Sequence, residues 1–508
     1  MKQRSTLIKS TFIIMIVSLI SRFLGFIRDM LIANNFGAGV YTDAYNIAVS
    51  IPETIFTLVG LAISTAFLPM LSKIRAKKGQ EEMYDFANNV INILFIISLL
   101  LFIVTSIFAK EIVYIFKFSE ETRLLAIGLL KITLINILFL SINACFTALL
   151  QVNEDFVIPS ILGLFFNLPM ILYLLLFKNY DIVGLTIANV IGNFFRVAVQ
   201  VPSLVTHGYK YKFFINLNDK RLKEIIILII PVIVGAGANS LNLVVDKYIA
   251  SSLSEGSVSA LDYAQKLIIF INTIITTSVT SVAYPLMANM RNSDNKIGFL
   301  NMLKKSIVYL AILLIPITFG IAIFSKDIVK IVYARGKFDE YAVYITSFAL
   351  LGYSFGIFFT GIRDILNSTL FTMGKTKVTT LNGIIGVIIN IIFSIILSKY
   401  IGIMGIALAS VIAMIVTAIL LFRSIIKIEH GLIIKDIIKK ISLLTINSLI
   451  MGVILATIVI YFRNKLNSLT LLLLGVSVGS IVYFMLCHLF KIEEVIEMKN
   501  LILKKIRR

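Results

Sequence analysis

Five short segments set charged side chains among apolar neighbours. Residues 21–29 read SRFLGFIRD, which embeds Arg22, Arg28 and Asp29 in a run of Phe, Leu, Gly and Ile. On a helix Arg22 and Asp29 nearly eclipse, while Arg28 lies about 120° from Arg22. Both guanidiniums therefore enter one cavity only if it is wide or if Gly25 lets the helix bend. Glu53 follows in IPETIFT (51–57), and Asp262 and Lys266 stand one turn apart in DYAQK. Asp246–Lys247 and Arg363–Asp364 are adjacent opposites. A cation at the centre of a membrane span costs roughly 2.5–3.5 kcal/mol on insertion scales, so several in one chain call for a wet cavity or paired partners. Arg28 has local outlets in Asp29, Glu53 or the outer surface, which a long side chain reaches by snorkelling. Arg22 has no carboxylate one turn away. Asp262 and Lys266 can neutralise each other or meet a substrate, and Arg363 with Asp364 reads as an internal pair. Guanidinium offers paired, planar donors suited to phosphate, so cations with few carboxylates favour an anionic cargo over a cationic drug.

Enzyme chemistry is not indicated. His207, His430 and His488 are scattered, and no HExxH, GxSxG or Walker A pattern occurs. An ATP-driven pump would need a partner chain. Cys145 and Cys487 lie in apolar runs far apart, which fits packing rather than a disulfide framework or a zinc site, and no metal site is expected. Asn167, Asn189 and Asn390 read as polar contacts between helices.

The elements that position these residues are membrane spans. Of 508 residues, 58% are hydrophobic and 15% charged, with a mean hydropathy of +0.97. A soluble chain carries roughly a quarter charged residues, so a soluble enzyme or nucleic-acid module is excluded. Fourteen apolar runs, from 11–35 to 468–490, are long enough to cross as helices, so the fold class is an all-α polytopic membrane protein. The 47 Lys and Arg against 27 Asp and Glu reflect basic loops. With the N-terminus inside, inner segments hold about 29 Lys and Arg and outer loops about 11, which predicts both termini cytoplasmic. Lys2, Arg4 and Lys9 precede the first run without a convincing cleavage site, so it reads as a retained helix.

An internal repeat organises the spans. Residues 107–116 (IFAKEIVYIF) match 323–332 (IFSKDIVKIV) at six of ten positions, and Pro69 matches Pro285 at the same offset of 216. Residues 183–191 (VGLTIANVI) pair with 404–412 (MGIALASVI). Shared K-[DE]-I-V in a polar loop does not follow from hydrophobicity. Spans 1–6 and 7–12 thus read as copies in one orientation, two lobes about an axis along the membrane normal. The expected organisation is an N-lobe over 1–205, a linker over 206–223, a C-lobe over 224–425, two added spans over 426–490 and a basic tail over 491–508.

The segments SRFLGFIRDMLIA (21–33), FGAG (36–39), TDAY (42–45), AFLP (66–69) and EGSVSALDYA (255–264) resemble the lipid II flippase family, MurJ or MviN, of the multidrug/oligosaccharidyl-lipid/polysaccharide exporter superfamily. The resemblance implies two six-helix lobes, a cationic cavity for the diphosphate and sugar head, a groove beside spans 13 and 14 for the polyprenyl tail, and alternating access. It aligns Arg22 and Arg28 with the family's first-span arginines and Asp43 with its TDA acid. Arg22, Arg28 and Lys266 are the expected head-group residues, with Asp29, Asp43, Glu53 and Asp262 as supporting cavity polar groups. Some members are linked to sodium or membrane potential, which suggests Asp246 with Asn390 near an ion site. No other cofactor is implied, and the partners implied are the glycolipid, membrane lipids and cell-wall synthesis proteins. Two departures stand out: Phe56 and Thr57 occupy the region where the family carries a second-span arginine, and Lys266 with Gln265 replaces the Asp-Arg of YADRL. Another polyprenyl-diphosphate-linked oligosaccharide is therefore the alternative cargo. A non-transporting scaffold of envelope synthesis is the alternative role.

Overall fold

The computed structural model describes residues 2–177, 179–429 and 434–506, with side chains omitted at 2–15, 58–59, 61–62, 228–236, 238–239, 498 and 501–506. The side chains of Lys2, Arg4 and Lys9, and all of His430, lie outside the described residues. In chain order the helices are α1 (Lys2–Phe36), α2 (Val40–Ala62), α3 (Leu68–Lys78), α4 (Gln80–Ile107), α5 (Ala109–Tyr114), α6 (Glu120–Thr133), α7 (Asn136–Val152), α8 (Val157–Leu176), α9 (Ile182–Ala198), α10 (Gln200–Thr206), α11 (Lys220–Ser251), α12 (Ser257–Asn292), α13 (Lys296–Tyr333), α14 (Glu340–Ser354), α15 (Ile357–Thr372), α16 (Thr376–Ile428), α17 (Ile434–Phe462), α18 (Ser468–Leu489) and α19 (Glu493–Ile506). There is no strand among the described residues. Nine helices are long and apolar enough to span a membrane, ten with the bent pair α14 and α15, counting described residues only. Helix α16 holds two of the expected spans, broken where Ile401 and Gly402 leave helical geometry, with Gly402 at φ +56°. The fourteen-span, all-α reading agrees with this helix order.

The chain forms two compact units. The first comprises 1–259 and 335–338, the second 260–334 and 339–508. Helix α11, which the repeat assigns to the second copy, packs in the first unit against α2. Compactness and duplication thus divide the chain at different residues.

In the first unit α8 packs between α1 and α9. Glycines permit the approach: a Cβ on Gly163 would strike the Ser21 side chain, and one on Gly192 would strike the Phe166 backbone. On α4, Asp85, Asn88, Asn89 and Asn92 form one helical stripe. Asn88 donates to Lys210 O, Asn92 to Lys212 O and Phe214 O, and Asn89 to Asn216 O, each at 3.0 Å. The 209–216 segment is thereby strapped to α4 through its own backbone. At its end Asp219 accepts from Arg221 Nε and Nη2, and Arg221 reaches Glu82 (2.8 Å). Hydrogen bonding from Arg221 holds the Asp219 carboxyl below the usual carboxylate range.

In the second unit the added helices α17 and α18 pack on α13. Asp327, at the repeat position of Glu111, is buried and accepts from Ser468 Oγ (2.8 Å) and Arg463 Nη2 (3.5 Å). Glu111 is exposed. The second copy has turned a surface acid into the acceptor that seats the two added spans. Cys145 and Cys487 are buried free thiols, as packing residues would be.

Candidate functional site

Ser21, Gly25 and Arg28 share the face of α1 that meets α8. Arg28 donates from Nε (3.1 Å) and Nη2 (2.8 Å) to Asp29 Oδ1 and from Nη1 to Asn167 Oδ1 (2.9 Å). Asn167 is fixed in turn by donating to Gly163 O (2.8 Å). The arginine is therefore held by an acid, an amide and a ring: its guanidinium carbon lies 5.5 Å from the Phe166 centroid.

A second guanidinium shares that ring. Arg196, from α9, lies 3.8 Å from the Phe166 centroid. Asn189, Asn193, Arg196 and Gln200 recur at helical spacing and form one polar stripe down an apolar helix. Asn136 donates to Asn189 Oδ1 (3.0 Å), Asn189 to Tyr45 Oη (3.3 Å), and Arg196 to Asn193 Oδ1 (3.1 Å). Glu53 acts electrostatically on both arginines. Sequence reasoning singled out neither Arg196 nor Phe166 as a site residue. The stripe was the available signal for Arg196, whereas an isolated Phe in an apolar run carries none.

The second unit contains a different feature. Helices α13, α17 and α18 enclose a groove of about 330 Å³ lined by Pro316, Phe324, Leu455, Gly475, Val476 and Tyr483 among others. Tyr483 donates its hydroxyl to Ile312 O (3.0 Å), which leaves an apolar ring face toward the groove. A Cβ on Gly475 would meet the Phe324 ring, so glycine there lets ring and helix approach.

The lipid II flippase MurJ family model matches residues 32–477. The chain belongs to the MurJ family. The lipid II flippase MurJ of Thermosipho africanus is 30% identical over 95% of this chain and 96% of its own length. A probable lipid II flippase MurJ of Buchnera aphidicola (Schizaphis graminum) is 30% identical over 73% of this chain and 74% of its own. A solved MurJ in an inward closed conformation superposes with TM-score 0.82 at 29% identity, covering 94% of this chain and 99% of that one. An inward-facing MATE transporter matches at TM-score 0.64 and 15% identity, over 81% and 99%, which shows a shared fold.

Within this MurJ member the residues expected at the site separate. Arg22, Arg28, Asp29 and Glu53 lie in the first unit, as do Asp43 and Asp246, while Asp262, Lys266 and Asn390 lie in the second. Arg22 is exposed and makes no hydrogen bond or ion pair among the described residues. Lys266 is half-buried with its ammonium 5.7 Å from the Tyr263 centroid, one turn from half-buried Asp262. Asp43 is buried, and accepts from Gly256 N (2.8 Å), Ser259 N (2.8 Å) and Ser259 Oγ (2.6 Å). Its carboxylate satisfies the first amides of α12, where a helix has open donors. Beside half-buried Asp246, Lys247 donates to Asn46 O (3.3 Å). Asn390 donates to Ser410 Oγ (2.9 Å) and accepts from Ser394 Oγ (2.9 Å), an interhelical contact of the kind expected. No group of three or more metal-binding side chains occurs among the described residues. Ser203, His207 and Asp155 are neighbours, but the Ser203 hydroxyl donates to Asp155 (2.6 Å) and His207 Nδ1 faces Ser203 O (2.8 Å). The Ser203 hydroxyl also lies 3.5 Å from His207 Nδ1.

Proposed function

We propose that the chain carries the undecaprenyl-diphosphate-linked peptidoglycan precursor, lipid II, from the inner to the outer leaflet of a bacterial cytoplasmic membrane by alternating access. Membership in the MurJ family supports the cargo, and the observation that carries the mechanism is Arg28, held within the span region by Asp29, Asn167 and Phe166. A diphosphate stripped of water needs replacement donors, and a fixed guanidinium supplies them without reorganising. Arg22, with its donors open to solvent, meets the head group on entry. Lys266 supplies a third positive charge, and Asp29, Glu53 and Asp262 keep the cations from binding the product too tightly. The groove of α13, α17 and α18 takes the polyprenyl tail, since its lining is largely apolar and the Tyr483 hydroxyl on it is satisfied. Both termini are cytoplasmic on the distribution of Lys and Arg. The driving force is a sodium ion or the membrane potential, with Asp246 and Asn390 as the residues to vary first. The protein partners are the cell-wall enzymes that make and consume the glycolipid.

The test is rescue of bacteria depleted of their own lipid II flippase, read as surface-exposed lipid II. Wild type restores it, and equally expressed Arg22→Ala and Arg28→Ala do not. A well-inserted wild type that restores nothing rejects lipid II as cargo and directs the search to other polyprenyl-diphosphate-linked oligosaccharides.

A further inference from the structure

Arg28 and Arg196 share one aromatic ring but differ in how their charge is met. A guanidinium has five N–H donors. Arg28 directs Nε and both terminal nitrogens to Asp29 and Asn167. Arg196 makes a single hydrogen bond, to the neutral amide of Asn193, and touches no carboxylate among the described residues. It is half-buried, in the last turn of α9 and inside the apolar stretch Ile182–Thr206 that α9 and α10 form together, which is long enough to span the membrane. An arginine at that depth with no anion in direct contact is unfavourable. The surrounding residues orient it: Asn193 fixes one terminal nitrogen, Asn189 fixes Asn193, and Phe166 holds the guanidinium plane. Such an oriented fork with unclaimed donors is built to receive a planar or tetrahedral oxyanion.

We propose that Arg196 is a second head-group contact, which donates to a phosphate oxygen of the same diphosphate that Arg28 meets, with Phe166 as their common shelf. This rests on a polyprenyl diphosphate as cargo, and assigns a role to a residue outside the first-span arginines. Arg28 enters already neutralised by Asp29 and acts as a fixed donor. Arg196 has no carboxylate in direct contact, only the more distant field of Glu53, so its contribution falls on phosphate more than on tail or sugar.

The experiment measures binding of undecaprenyl diphosphate and of undecaprenol to the full chain in detergent, for wild type, Arg196→Met and Arg196→Lys. Methionine keeps an unbranched stem and a favourable sulfur contact with Phe166, so packing is largely preserved while the charge is lost. The preference of wild type for diphosphate over alcohol is expected to fall roughly tenfold or more in Arg196→Met and less in Arg196→Lys. Because the readout is a ratio, a loss of folded protein lowers both ligands together and leaves it unchanged. An unchanged ratio in Arg196→Met, with or without weaker binding overall, overturns the proposal. Lipid II is titrated beside them: wild type that prefers the bare diphosphate through Arg196 but rejects lipid II overturns the cargo and leaves the Arg196 contact standing. Wild type with no preference for diphosphate over alcohol overturns both.

Discussion

Two Arg-Asp dipeptides, one in each unit, share nearly the same internal geometry. Asp29 Oδ1 accepts from Arg28 Nε and Nη2 at 3.1 and 2.8 Å, and Asp364 Oδ1 accepts from Arg363 Nε and Nη2 at 3.2 and 3.0 Å. Adjacency on a helix dictates the pair, so the pair alone says nothing about use. The surroundings differ. Arg28 and Asp29 are 17% and 8% exposed, against 34% and 41% for Arg363 and Asp364. Arg28 has a further acceptor in Asn167 Oδ1, a ring on one side and a second guanidinium on that ring. Arg363 has Asp364 as its sole ion-pair partner among the described residues. A mid-chain arginine that finds its own counter-ion is a solved local problem. One built into a ring and amide shell is a candidate site.

The sharpest way to break that contrast is to remove each arginine. Arg28→Ala is expected to reduce lipid II flipping at least about a hundredfold, the cost of a charged hydrogen-bond donor at a desolvated phosphate. Arg363→Ala should change it less than about twofold, as a partly exposed pair contributes little. Surface lipid II in depleted cells, normalised to inserted protein, reads both. Equal losses would show that the surroundings of the pair do not matter.

The same contrast extends to the added helices. The first unit places charge and amides inside its spans; the second, between α13, α17 and α18, presents an apolar trough. Ser480 also lines it, and filling it with Ser480→Phe should weaken binding of an undecaprenyl substrate roughly tenfold, and leave a short-chain prenyl diphosphate nearly unaffected, since about 0.8 kcal/mol follows each buried methylene. Loss of both ligands alike would make the trough structural.

How far the sequence reaches is visible at particular residues. The spans, the repeat, the buried cysteines and the Arg363–Asp364 pair were legible because each depends on composition or on neighbours within one turn. Asp43 was not: its partners Gly256 and Ser259 lie more than two hundred positions away, and nothing in a TDA triplet distinguishes a cavity acid from a helix cap. The compact boundary after Ser259 was hidden for a similar reason, because repeat symmetry places α11 in one copy while packing joins it to α2. Arg196 was half legible. Its stripe with Asn189 and Asn193 is written in the sequence, but Phe166, which unites it with Arg28, comes from another helix.

A polar stripe is also not always a site, and α4 sharpens the distinction. Asn92 is buried and donates to both Lys212 O and Phe214 O, while its Oδ1 accepts from Tyr211 Oη (2.7 Å). Asn92→Ala should destabilise the purified protein by about 1 kcal/mol, seen as a lower Tm, with the diphosphate preference intact. In contrast, Asn193→Ala should lower that preference several-fold, because it releases the oriented nitrogen of Arg196. Reversal of these outcomes would exchange the roles of the two stripes.

The smallest effect lies at the end of the strap. Asp219 is held below the usual carboxylate range by hydrogen bonds from Arg221, so its folded pKa is below its unfolded value. A depressed carboxylate contributes stability that is fully present above the unfolded value, near about pH 4, and is lost as the pH falls through the folded one. Thermal unfolding of the wild type should therefore weaken between about pH 4 and lower pH more steeply than that of Asp219→Asn, with curves that converge in acid. Arg221 also engages Glu82, so the guanidinium keeps one partner in the variant, and the pair is partly exposed, which limits the difference to a few tenths of a kcal/mol at most, roughly. A difference that instead persists undiminished in acid would assign the contribution of Asp219 to packing, since amide and carboxylate have nearly the same shape and differ chiefly in charge.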